Sequence, residues 1–196
     1  MQTEYPRLGS IRMNVQKETA NPLILKVRIP AWSQDTLLVN GVPYKPENGY
    51  AVFAIENQET TVALAFDLSL RVINPIVWDT DVVYTDRSVT TATGYGAGRQ
   101  EIRHLPEDDR YVSLARGPIT LAADSRMGKA ADSKFTFQSE NGIPVYTLSE
   151  KNEIADGKKC VVHCVMKDAN GNEFSLIDYG SAGRDWRTVI TAWLPI

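Results

Sequence analysis

The chain has 196 residues, 43% hydrophobic and 23% charged, with a formal net charge of −3. That size suits one large or two small domains, and the mixed charge lacks the basic footprint that nucleic-acid binding requires. No apolar run approaches the roughly 20 residues that span a bilayer, so no membrane partner is expected.

Val, Ile and Thr together supply 45 residues and cluster in short runs, which favours strands. The opening Met1-Gln2-Thr3-Glu4-Tyr5-Pro6 is polar, unlike a signal peptide. A strand is expected over residues 11–15. In Leu25-Lys26-Val27-Arg28-Ile29 the apolar residues take one face and the cations the other, as in a half-buried strand. Residues 36–39 end at Asn40-Gly41, and Asn48-Gly49 precedes a strand over 50–55. Asn-Gly tolerates φ > 0 at both turn positions and so predicts tight type I′ hairpins. From Val62 to Val72 the large apolar residues fall at even positions, which predicts Val62, Leu64, Phe66, Leu68 and Leu70 on one buried sheet face.

Residues 80–107 are polar and Gly-rich and read as a long excursion from the sheet. Strands are then expected over 111–114 and 119–122. The Arg116-Gly117-Pro118 segment between them is a turn or bulge, where Gly117→Val would cost about 1–3 kcal/mol if φ is positive. Further strands are expected over 134–137, 145–148, 160–166, 174–177 and 189–194. No amphipathic run is long enough for a helix of about 11 residues. The pattern predicts an all-β chain. An antiparallel β-sandwich, jelly-roll-like, occupies residues 1–123, and a second, smaller β unit occupies 124–196, with the boundary in the charged stretch 124–133.

Cys160-Val161-Val162-His163-Cys164 is the first segment to test for metal. On a strand the two cysteines share a face, roughly 13 Å apart, with His163 on the other, so they serve neither a shared ion nor a disulfide. Buried structural thiols are expected. Gly94-Tyr95-Gly96-Ala97-Gly98-Arg99 has the spacing of neither a dinucleotide fingerprint nor a P-loop. Asp79, Asp81 and Asp86 lack a calcium-loop pattern, and Glu107-Asp108-Asp109 reads as a solvated turn. His104 and His163 are isolated from any nucleophile motif. A glycosidase needs two carboxylates facing each other across a cleft, and the sequence identifies no such pair. No catalytic and no metal-ligating residue is therefore assigned. Among the tryptophans, Trp32 and Trp193 are expected to pack in the core. Trp186, in a polar turn, and Tyr95 are the candidate ligand-binding aromatics.

Several segments together resemble the C-terminal region of glycoside hydrolase family 127, the β-L-arabinofuranosidase-like enzymes. They are Tyr5-Pro6 with the strand over 11–15, Leu25-Lys26-Val27-Arg28-Ile29-Pro30-Ala31-Trp32, Val39-Asn40-Gly41, Tyr111-Val112-Ser113-Leu114-Ala115-Arg116-Gly117-Pro118-Ile119, Asp178-Tyr179-Gly180-Ser181-Ala182-Gly183, and Ala192-Trp193-Leu194-Pro195. The resemblance implies that catalysis belongs to an N-terminal (α/α)6 barrel with a zinc-bound cysteine nucleophile and an acidic partner. None of that barrel is in this sequence. Cys160 and Cys164 do not match its zinc motif, and no catalytic residue carries over. The resulting expectation is a non-catalytic accessory β region that buttresses the missing barrel, with no cofactor of its own, since zinc is implied only for the barrel. The expected partners are that barrel and a plant-type oligosaccharide, and the expected location of the parent protein is the bacterial periplasm or exterior. The alternative is an independent carbohydrate-binding module, and a self-contained hydrolase ranks last.

Overall fold

Left-handed backbone at two consecutive residues makes a hairpin turn whose twist matches its strands. Asn40-Gly41 (φ 51° and 81°) and Asn48-Gly49 (φ 51° and 79°) adopt it, and so does Asn141-Gly142 (φ 52° and 78°). The computed structural model describes residues 1–74, 83–84, 100–101, 111–154, 157–183 and 188–196. Its strands are β1 (Gln2–Thr3), β2 (Ser10–Gln16), β3 (Leu23–Arg28), β4 (Leu38–Val39), β5 (Val42–Pro43), β6 (Tyr50–Ile55), β7 (Glu59–Ala65), β8 (Leu70–Ile73), β9 (Val83–Tyr84) and β10 (Gln100–Glu101). There follow β11 (Tyr111–Arg116), β12 (Ile119–Asp124), β13 (Ser139–Glu140), β14 (Ile143–Pro144), β15 (Tyr146–Leu148), β16 (His163–Lys167), β17 (Glu173–Asp178), β18 (Ile190–Thr191) and β19 (Leu194–Pro195). Short 3-10 turns occur at Ala31–Ser33 and Ser125–Met127, and the described residues contain no α-helix. The all-β expectation holds.

The first part is a sandwich. A five-stranded antiparallel sheet in the order β1-β2-β7-β4-β5 packs on the two-stranded ribbon β3-β6. The shared core takes Ile11, Met13, Val39, Val62 and Leu64 from the sheet and Leu25, Val27, Ala51 and Phe53 from the ribbon. Each fully buried aliphatic among them contributes about 1.5–3 kcal/mol. The outer edge of β6 is protected by one phenol: the Tyr44 hydroxyl donates to the Val52 carbonyl (3.2 Å) and accepts from the Val52 N–H (3.1 Å). Exposed edges invite stray pairing, and this one is partly satisfied within the chain.

The second part is a larger antiparallel sheet in the order β15-β16-β17-β12-β11-β19, with β8 pairing β11 and β18 pairing β12. Alternation along its strands builds two cores. Leu114, Leu121, Cys164, Met166, Phe174 and Leu176 belong to one, while Ala122, Ile154, Cys160, Ile177 and Ala182 belong to the other. Successive residues of β12 and β17 thus feed opposite faces, as the strand period requires.

Several expectations are corrected. The alternating run from Val62 to Val72 is two strands in two sheets. Asp67 accepts from the backbone N–H (2.8 Å) and hydroxyl (2.6 Å) of Ser69, and this local turn ends the ladder between β7 and β8. Val62 and Leu64 therefore pack in the sandwich, Leu70 packs in the second core, and Phe66 is only half-buried. Residues 134–137 form no ladder. They are placed instead by the Phe135 N–H to Pro195 carbonyl bond (2.6 Å) and by Phe135 packing against Phe174 (5.5 Å between centroids). The expected strand over 189–194 is two short strands with a bend between them. The break in alternation puts Leu194 in the core at 0% exposure and leaves Trp193 44% exposed, so Trp193 is not a core residue. Within 80–107, β9 pairs β10 (Gln100 opposite Tyr84), and the remainder lies outside the described residues.

Candidate functional site

The two sheets meet at a polar joint centred on Arg116, which is 5% exposed. Its position follows from the β11–β12 hairpin. Gly117 takes φ +55°, and the left-handed turn projects the end of β11 toward the chain's first residues. The Arg116 Nε donates to the Tyr146 hydroxyl (2.8 Å), and Nη1 donates to the carbonyls of Arg7 (2.8 Å) and Pro6 (3.3 Å). Tyr146 in turn donates to the Leu68 carbonyl (3.2 Å). Arg7 reaches Asn152 Oδ1 and the Ser149 carbonyl (both 3.1 Å), and Arg71 reaches the Gly117 carbonyl (2.7 Å) while lying over the Trp32 ring. Trp32 packs against Phe66 (6.0 Å), as expected of a packing residue. The acceptors just named are neutral oxygens, and Arg7 also donates through Nη1 to the Glu4 carboxylate (3.3 Å).

The buried carboxylates are equally committed. Asp124, at the end of β12, accepts from the Arg126 backbone N–H (3.0 Å) and guanidinium (2.6 Å at the shortest), from the Gly183 N–H (3.1 Å) and from the Thr188 hydroxyl (3.1 Å). Burial alone would raise its pKa, but the bonds from Arg126 and Gly183 and the Arg126 charge outweigh it and hold the carboxyl far below the usual range. Asp178 accepts from the N–H groups of Val161 (2.7 Å) and Val162 (3.0 Å).

That Asp178 contact explains a further correction. Because its side chain binds the backbone at 161–162, regular pairing of β16 starts only at His163, and Cys160 leaves the strand. Cys160 and Cys164 therefore sit in the cores on opposite faces of the sheet, not on one face. Both are free and buried. Burial pushes Cys160 up to about 11, with help from the Asp178 charge, and Cys164 up to about 12. His163 Nδ1 lies 3.2 Å from the Lys151 carbonyl and Nε2 lies 2.9 Å from the Ser175 hydroxyl. A carbonyl can only accept, so Nδ1 donates to Lys151. The orienting group is a carbonyl and the pair lies across two strands of a sheet face, so this is a structural cross-strand contact. Among the described residues no three His, Cys, Asp or Glu side chains are grouped to hold a metal.

Trp186 and Tyr95, the expected ligand contacts, lie outside the described residues, as do Trp78, Asp79, Asp81, Asp86, His104, Glu107-Asp108-Asp109 and the loop 94–99. The Asp124 carboxylate does tie together Gly183 and Thr188, the residues on either side of 184–187.

One feature was not anticipated from sequence: a groove of about 450 Å³ at the Asn48-Gly49 end of the β3–β6 ribbon, lined by Arg28, Ile29, Ala31, Gln34, Asn48, Gly49 and Tyr50. Arg28 and Tyr50 stand directly opposite each other in the ladder. The signal available in sequence was a cation ending one strand and an aromatic following an Asn-Gly turn, which pair only once register is known.

With this geometry in place, the chain can be compared with known proteins. Residues 1–71 match the family model described as the middle domain of GH127 β-L-arabinofuranosidase. The crystal structure of a GH127 β-L-arabinofuranosidase from Geobacillus stearothermophilus T6 superposes with a TM-score of 0.61 at 16% identity, covering 99% of this chain and 29% of that one. A structure described as a glycoside hydrolase gives 0.59 at 18% identity, covering 99% of this chain and 31% of its own. No curated protein sequence matches. The chain thus spans about three-tenths of the length of these solved structures and shares the fold of that part of them, while its first 71 residues are similar to the GH127 middle domain.

Proposed function

We propose that this chain is a non-catalytic accessory β region of a glycoside hydrolase, C-terminal to an (α/α)6 barrel that it buttresses. The observation that carries this reading is the asymmetry of coverage: 99% of the chain aligns on only 29% of a GH127 arabinofuranosidase. The site chemistry supports it. A retaining or inverting hydrolase needs a free carboxyl pair or an activated nucleophile. Here the buried carboxylates Asp124 and Asp178 are taken up by backbone and arginine donors, and both thiols are held protonated by burial. In this reading zinc and the reacting groups reside on the barrel, the β region has no cofactor of its own, and the parent enzyme acts in the periplasm or outside the cell.

The test is hydrolysis of an aryl β-L-arabinofuranoside by the chain alone, with and without zinc, beside the parent enzyme. No turnover by the chain is expected. Turnover that an Asp or Glu substitution abolishes would overturn the reading. The alternative, an independent carbohydrate-binding module gripping sugar through Trp186 and Tyr95, draws support from the Asp124 bonds that fix both neighbours of 184–187. It would replace the first reading if the chain bound an oligosaccharide at micromolar affinity and Trp186→Ala removed that binding.

A further inference from the structure

The groove beside Arg28 and Tyr50 has no part in either reading above. We infer that it is a low-affinity site for a neutral sugar unit, with Tyr50 as the stacking face and Arg28, Gln34 and Asn48 as the hydroxyl partners. Sugars present a hydrophobic C–H face and a rim of hydroxyls that both donate and accept, so a sugar site combines an open aromatic with planar polar groups at its edge. Tyr50 is 40% exposed, and its hydroxyl makes no hydrogen bond to any described residue. The guanidinium of Arg28, its cross-strand partner, makes no ion pair or hydrogen bond to any described residue, which leaves its donors for a ligand. The Asn48 side-chain amide likewise makes no hydrogen bond to any described residue. Gln34 donates through Nε2 to the Ile29 carbonyl (3.3 Å), which fixes the amide and leaves Oε1 as an acceptor.

The frame is preorganised. The Ile29 N–H donates to the Gly49 carbonyl (2.8 Å), and Glu47 and Tyr50 exchange two backbone bonds (2.8 and 2.9 Å) across the turn. A volume of about 450 Å³ lies within the range of small-molecule sites. Two other grooves lack the combination. The one of about 620 Å³ along β1 and β2 has no aromatic in its lining. The one of about 330 Å³ is lined by Tyr146, whose hydroxyl is already shared between Arg116 and Leu68. The open, solvent-facing wall of the Tyr50 groove sets the affinity in the millimolar range.

The inference stands on this chain's own residues and survives failure of the accessory reading. It is tested by titrating the 15N-labelled chain with L-arabinose, xylobiose and, as an anionic control, glucuronate. Saturable shifts are expected for the neutral sugars at the Arg28 Nε–H, the Gln34 and Asn48 side-chain amides and the Gly49 N–H. Tyr50→Phe should retain binding, while Tyr50→Ala should weaken it about tenfold or more. Arg28→Gln, at an exposed position, supplies a second variant with the same expected weakening, and unchanged melting temperatures establish that both are folded. The inference is overturned if no neutral sugar shifts these signals. It is equally overturned if Tyr50→Ala and Arg28→Gln bind as the parent does, or if only glucuronate binds.

Discussion

Gly117→Val tests the seam between the two sheets most directly, because two separate costs can be read from the structure. The first is conformational. At φ +55° an L-residue pays about 1–2 kcal/mol, and a β-branched one more. The second is steric. A Cβ on Gly117 would stand 2.4 Å from Leu68 Cδ2 and 3.3 Å from Trp32 Cη2. Leu68 is 6% exposed, so it can move only by displacing packed neighbours, and such overpacking costs about 1–3 kcal/mol. Together they give about 2–5 kcal/mol, above what backbone strain alone would produce. At about 2–4 °C per kcal/mol for a chain of this size, the melting temperature falls by roughly 4–20 °C. Urea denaturation measures the free energy, and a paired series separates the two parts. In a Leu68→Ala background the Leu68 clash disappears while the 3.3 Å approach to Trp32 remains, and Gly117→Val should cost about 1–3 kcal/mol less than in the parent. An equal penalty in both backgrounds, or a Gly117→Val variant within about 0.5 kcal/mol of the parent, would refute the reasoning.

Three further outcomes are expected. Arg116→Met leaves two carbonyls and the Tyr146 hydroxyl without their donor, so denaturation should show a loss of about 2–5 kcal/mol that Arg116→Lys does not restore. Asp124 has a folded-state pKa below its unfolded value of about 3.9, so its contribution is complete above that value and is lost as pH falls through the folded pKa. Asp124→Asn should accordingly be less stable at neutral pH and show a flatter decline below about pH 4, and an unchanged acid limb would count against the Asp124 network. Cys160 and Cys164, raised to about 11 and 12, should resist a disulfide thiol reagent in the folded chain at pH 8 and both react once it is unfolded. Rapid native labelling of either thiol would contradict their burial.

Local chemistry made much of the fold readable before any coordinates. Asn40-Gly41 and Asn48-Gly49 name their own turn geometry, and Gly117-Pro118 marks a hairpin because only glycine accepts its φ without strain. What escaped notice was where one sheet hands over to another. Period two continues unbroken from Val62 to Leu70, because both strands bury alternate residues, and the only sign of the break is Asp67 two places before Ser69. The same limit misplaced Cys160 and Trp193. Asp178, bonded to the neighbouring Val161 N–H, ends the ladder beside the first, and a bend between β18 and β19 turns the second outward. The Tyr50 groove was hidden for a related reason: Arg28 and Tyr50 become neighbours only through cross-strand register.

The Arg7–Asn152 contact has a consequence for how the chain comes off the ribosome. The two residues are 145 positions apart, which at about 5–20 residues per second is roughly 7–30 s of synthesis. The sandwich can close once β7 has emerged, but the partners of Pro6 and Arg7, namely Arg116, Ser149 and Asn152, arrive much later. During that interval Trp32 and Leu68 face an empty seam that Gly117 will eventually fill, and the Leu68 carbonyl waits for the Tyr146 hydroxyl. The nascent sandwich therefore carries an aromatic, adhesive flank until the last third of the chain is made, and that flank is where a chaperone or a misplaced neighbour would first take hold.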